Sequence, residues 1–175
     1  KSGADVVVHS LHKSATGLVQ TAALWWQGTL IDPEILERSI VLFQTSSPSS
    51  LLLSSCEAAL SKWTSASGMN ELKEKIINAR NIACNLREEG LPLLENQDPL
   101  KLILHTSSVG ISGLKADSWF INKELIGELP EPGSITLCLG FHEHKGLIGF
   151  MKRVWEQFVS SELSRDSYPP FVKPP

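Results

Sequence analysis

Cysteine is scarce in this chain of 175 residues: Cys56, Cys84 and Cys138 stand far apart, and no CxxC pair occurs. An odd and scattered set builds neither a disulfide framework nor a zinc site, so a reducing compartment is expected, the cytoplasm or a plastid stroma. Long apolar runs are missing as well. No segment approaches the roughly 20 residues of a membrane helix, and the N-terminus lacks the shape of a signal peptide. Blocks of one charge sign are absent; the net charge is -3, with acidic and basic residues interspersed. That excludes the basic footprint of a nucleic-acid or anionic-membrane partner. No internal repeat is found, and no initiator Met: Lys1-Ser2-Gly3 runs straight into a β-branched stretch, so the chain reads as the C-terminal piece of something longer.

What is present is apolar material for a packed core, 42% of residues, in a length that suits one domain or slightly more. Val6-Val7-Val8, bounded by Gly3 and the polar HSLHKS, has the pattern of a strand buried on both faces in a parallel sheet. Leu18 to Trp26 reads as the next strand. Asp32 is a good N-cap with Pro33 behind it, and Ile35, Leu36, Ile40 and Val41 form a stripe, which predicts a helix over 33–42. The polar QTSSPSS (44–50) is a loop before an apolar helix reaching Trp63, which Ser65-Ala66-Ser67-Gly68 breaks. Leu72, Ile76, Ala79, Ala83 and Leu86 recur at spacings of four, three, four and three, a long helix closed by Gly90 and Pro92.

After about residue 93 the pattern changes. LKLILHT (100–106) and SITLCLGF (134–141) read as strands around the helical ADSWFINKEL, with a last amphipathic helix near 146–162. The proline-rich YPPFVKPP is an extended or disordered tail. The expected divisions are therefore 1–68, a connecting helix over 69–92, a small α/β domain over 93–163, and the tail 164–175.

The chemistry gathers at the end of the first strand, where His9, Ser10, His12 and Lys13 follow one another closely. Ligand sites of open α/β sheets lie outside the carboxyl ends of strands. Most lysines are solvated surface cations, but one partly dehydrated at such an edge has a lowered pKa and a nucleophilic amine suited to Schiff-base chemistry. The Ser- and Thr-rich segments 10–16 and 44–50 have the donors a phosphate dianion requires, although taken singly they are ordinary turn chemistry.

GADVVVHSLHKSATGLVQTAALWWQG, an acid-capped helix and then QTSSPSSLLLSS together resemble the Orn/Lys/Arg decarboxylase major domain, a pyridoxal-phosphate family with the aspartate-aminotransferase fold. Cysteine desulfurases and serine hydroxymethyltransferases have similar lysine motifs, but there a glycine-rich segment tends to follow. GLKADSWFINKELIGELPEPGSITLCLGF resembles the family's small C-terminal domain, so the likeness covers about residues 1–160. The implied fold is α/β: the end of an aspartate-aminotransferase-type cofactor-binding large domain, then a small α+β domain.

The resemblance implies Lys13 as the Schiff-base lysine for pyridoxal phosphate, Ser10 as a contact to the cofactor phosphate, and His12 beside the cofactor in positioning or proton transfer. Thr45 matches a residue that reaches the phosphate of the partner subunit's cofactor, which implies a homodimer or larger oligomer with shared sites. The implied substrate is lysine, arginine or ornithine. The family's aspartate on the pyridine nitrogen, its ring-stacking residue and its small-residue phosphate loop are expected before residue 1. A fragment, the observed part of a longer polypeptide, and a truncated non-catalytic module all stay open, as does another reaction of the same cofactor, amino transfer or desulfuration.

Elsewhere the blander explanation is favoured. His142-Glu143-His144 reads as a solvated loop rather than a metal site, since HxH lacks a third ligand. Trp25, Trp26 and Cys138 are expected in the core, and Glu128 and Glu131 as exposed loop carboxylates, although either carboxylate suits the distal cation of a basic substrate.

Overall fold

The computed structural model describes residues 3–142 and 144–165; the proline-rich tail expected at 168–175 lies outside them. The chain divides into two compact units, one through Leu72 and one from Lys73.

The first unit opens with a hairpin of β1 (Val6–Ser10) and β2 (Ala22–Trp26), joined through a four-residue helical turn, α1 (Leu11–Ser14). The strands are antiparallel, Val6 opposite Trp26 and Ser10 opposite Ala22. The first strand was expected in a parallel sheet, and the pairing it makes here is antiparallel. A parallel connection needs a crossover of a dozen or more residues, usually through a helix, and the segment between these strands is too short. Burial on both faces also fails: Val8, Leu24, Trp25 and Trp26 are exposed, so neither tryptophan is a core residue within this unit. The second strand is shorter than expected because Leu18 to Thr21 forms a turn, closed by Thr21 N–H to the Leu18 carbonyl at 3.1 Å.

Helix α2 (Pro33–Phe43) starts where the Asp-Pro pair dictates, with Asp32 Oδ1 accepting the Glu34 N–H at 2.8 Å. Helix α3 (Ser50–Thr64) and helix α4 (Ala66–Glu88) are separated by Ser65 alone. The Ser65 hydroxyl donates to the Lys62 carbonyl at 2.7 Å and accepts the Gly68 N–H at 3.0 Å, closing one helix and opening the next. A side chain at Gly68 would lie 1.9 Å from the Lys62 carbonyl oxygen, so the predicted break is real but compressed to one residue.

The second unit holds a four-stranded antiparallel sheet in the order β3 (Leu93–Leu94), β4 (Lys101–Leu104), β6 (Ile135–Cys138), β5 (Leu129–Pro130). It also contains α5 (Gly113–Ile121) and α6 (Leu147–Val159). Leu102, Leu104, Ile135 and Leu137 turn one face of the sheet into the core. Alternation then forces Cys138 to the other face, where it is exposed, correcting its expected burial. Met151, Val154, Trp155 and Phe158 make the buried stripe of α6. Phe120 and Phe158, both fully buried, stack with ring centroids 4.7 Å apart and anchor an aromatic cluster with Trp119 and Trp155. Helix α4 ends as its sequence suggests: Gly90 is left-handed (φ +85), and Leu91 N–H returns to the Leu86 carbonyl at 3.0 Å.

Candidate functional site

The turn that carries Lys13 is built around one carbonyl. Thr21, itself buried, accepts hydrogen bonds at its backbone oxygen from the N–H of Leu11 (3.0 Å), the N–H of His12 (3.4 Å) and the ring of His12 (2.9 Å). Because a carbonyl only accepts, His12 Nδ1 carries the proton, and in the neutral ring Nε2 presents its lone pair away from that bond. The turn is closed further by Ala15 N–H and Gly17 N–H, both donating to the Leu11 carbonyl. Leu11 is the apolar plug beneath it, 4% exposed.

Helix α3 fixes the segment that follows. Trp63 Nε1–H donates to the Ala15 carbonyl at 2.9 Å, and Ser55 Oγ accepts the Leu18 N–H at 2.9 Å. Around these anchors the backbone is strained. Thr16 and Gln20 have φ of 62° and 79°, a left-handed conformation that costs a non-glycine residue about 1–2 kcal/mol. A β-branched residue there is a genuine outlier, and such strain persists only where the surroundings enforce it. Gly17 is required at its place, since a Cβ would stand 2.4 Å from Thr21 Oγ1.

Ser10, His12 and Lys13 are thus brought together on one turn. Ser10 occupies the N-cap position, yet its hydroxyl makes no capping bond to α1. His12 is half-buried and Lys13 is exposed. Ser10 and Lys13, three residues apart across a helical turn, share one side of it. Thr45 is placed differently, in the exposed loop between α2 and α3, where its Oγ1 accepts the Ser47 N–H at 3.2 Å. The sequence did not single out Thr21, Trp63 or Ser55. Only Gly17 left a trace there, and the bonds that make the others matter span 9 to 48 residues.

The other candidates make local contacts of their own. His9 packs edge-on to Trp25 with ring centroids 6.2 Å apart. His144 Nε2 bonds the Gly140 carbonyl at 3.0 Å, and Glu143 lies outside the described residues. Glu131 accepts the Ser134 hydroxyl at 3.1 Å and belongs to the turn between β5 and β6. Glu128 is exposed, its N–H donating to the Thr136 carbonyl. No group of three or more His, Cys, Asp or Glu able to hold a metal occurs among the described residues. No helix among them is long and apolar enough to cross a membrane.

No family model matches the chain. Among curated proteins it is similar to the arginine decarboxylase of Bacillus anthracis, 30% identical over 129 residues, and to that of Bacillus subtilis, 25% identical over 129 residues. Each alignment takes in 68% of this chain and 26% of the relative, so the chain spans about a quarter of the length of the proteins it matches. Among solved structures it is similar to the constitutive lysine decarboxylase of Escherichia coli, with TM-score 0.66, 17% identity, and coverage of 87% of this chain and 28% of that one. The lysine decarboxylase of Francisella novicida follows with TM-score 0.63, 17% identity, and coverage of 86% and 27%. The curated relatives, arginine decarboxylases, support a decarboxylase family; the solved structures speak for the fold alone.

Proposed function

We propose that this chain is the lysine-bearing portion of a pyridoxal-phosphate-dependent decarboxylase of lysine, arginine or ornithine, built on the aspartate-aminotransferase plan. The observation that carries this reading is the Lys13 turn: an amine presented on a strained, multiply anchored loop, within a chain whose curated relatives are arginine decarboxylases. The donor set fits the cofactor. A phosphate needs hydroxyl and amide donors, and Ser10 offers a hydroxyl that its own helix does not use. When bound, the cofactor supplies the electron sink for the pair left behind as carbon dioxide departs.

The chain's own contributions follow from geometry. Lys13 would hold the cofactor and return to it at the end of each turnover, and its neighbour Ser10 would donate to the phosphate. His12, with Nδ1–H committed to Thr21, would offer Nε2 alone, so its ring can accept one proton at a defined atom. Lys13 is exposed on this chain, so its shielding from water would come from protein surface that covers the turn in the assembled enzyme. Thr45, on a separate loop, would serve the phosphate of a second subunit, which makes the functional unit a homodimer or larger.

The decisive experiment is borohydride reduction of the protein carrying this sequence with pyridoxal phosphate bound, followed by digestion and mass spectrometry. The reduced label is expected on the peptide containing Lys13 and is expected to vanish in Lys13→Ala. Label on any other lysine peptide would remove the assignment.

A further inference from the structure

The second unit contains a cleft of about 300 Å³ that has no part in the lysine turn. Its floor is one stripe of α4: Arg80, Ala83 and Arg87, three and four residues apart, and its wall is the segment from Leu93 to Lys101. The two arginines stand two helical turns apart, about 10 Å along the axis, with the small alanine between them leaving the space open. The volume is at the lower end of what small-ligand sites enclose.

The lining is cationic in a chain whose net charge is -3: Arg80, Arg87 and Lys101 face one carboxylate, Glu95, and the amides of Asn96 and Gln97. Arg87 is oriented rather than loose, its Nε and Nη2 donating to the carbonyls of Leu93 and Leu94 at 3.4 and 3.5 Å. That directs the remaining edge of the guanidinium elsewhere. Arg80 is exposed, and no hydrogen bond or ion pair engages it among the described residues. The Lys101 ammonium donates to Cys138 Sγ at 2.7 Å, which, against some desolvation, holds its pKa above the ordinary value. Asp98 and Glu128 act on it in the same direction, so Lys101 is partly compensated and the arginine pair carries the excess charge.

We propose that this cleft binds a small phosphate-bearing molecule, gripped between the guanidinium groups of Arg80 and Arg87. Planar guanidinium forks match phosphate oxygens two at a time, which a lysine cluster does not. The rise of about 10 Å between the two positions leaves room for two linked phosphate groups.

The test is calorimetric titration of pyrophosphate into the full chain at low ionic strength. Saturable one-to-one binding is expected, weakened about tenfold in Arg80→Gln, the loss of one charge-assisted contact. Arg80→Gln is the decisive variant because Arg80 holds no structural bond among the described residues, whereas Arg87 supports β3. Arg80→Lys should recover only part of the affinity. Absence of saturable binding, unchanged affinity in Arg80→Gln, or tighter binding of citrate than of pyrophosphate would each overturn the proposal.

Discussion

Thr21 supports the proposed site through its backbone, so its role must be tested through its neighbours. Gly17→Ala should loosen the turn, because the new Cβ would displace Thr21 Oγ1 from 2.4 Å away; slower or lower borohydride labelling of Lys13 is the expected readout. Trp63→Phe keeps an aromatic ring but removes both the N–H that holds the Ala15 carbonyl and part of the packed indole, so a loss of at least about 1 kcal/mol is expected in urea denaturation. In the second unit, Lys101 has a folded pKa above its unfolded one, chiefly through its bond to Cys138. The stabilisation is therefore complete below the unfolded value and fades as pH rises through the folded value. Cys138→Ala should lower the urea midpoint near neutrality, and the gap from the parent chain should close at alkaline pH. The position of Cys138 was misjudged from sequence because an apolar four-residue strand does not declare which alternate residues face inward.

Elements show a division between helices and strands in how far they could be read. The expected helix over 33–42 became Pro33–Phe43, and the last helix, expected near 146–162, became Leu147–Val159. Caps and apolar periods are local signals, and local bonds satisfy them. Asp32→Ala should accordingly cost about 1 kcal/mol, measured by chemical denaturation, because the Glu34 N–H loses its partner. Phe158→Ala should cost about 3–5 kcal/mol in the same assay, since the fully buried ring leaves a cavity against Phe120, Trp119 and Trp155. Strands were legible in place but not in partnership. VVV reads equally well as a two-sided core strand or as half of a hairpin, and only the short connection through α1 decides between them.

Across the whole molecule, burial is unevenly distributed. The hydrophobic core runs from Ala79 to Phe158 in the second unit, while Leu11 and Ala59 are the buried apolar side chains of the first among the described residues. The first unit instead exposes Trp25, Trp26, Val41, Leu42 and Phe43, the last 86% accessible. Amide hydrogen exchange should therefore be faster in the β1–β2 hairpin than in β4 and β6, and equal protection of both sheets would contradict this distribution. The residue types of the proposed site and the helix starts and stops were determined by the sequence itself, because each depends on groups a few positions apart. The antiparallel pairing, the exposure of Cys138, the three-donor carbonyl of Thr21 and the arginine-lined cleft were decided only by tertiary structure. Each of these depends on groups far apart in the chain, or on which of two faces is buried, and neither is encoded in local spacing.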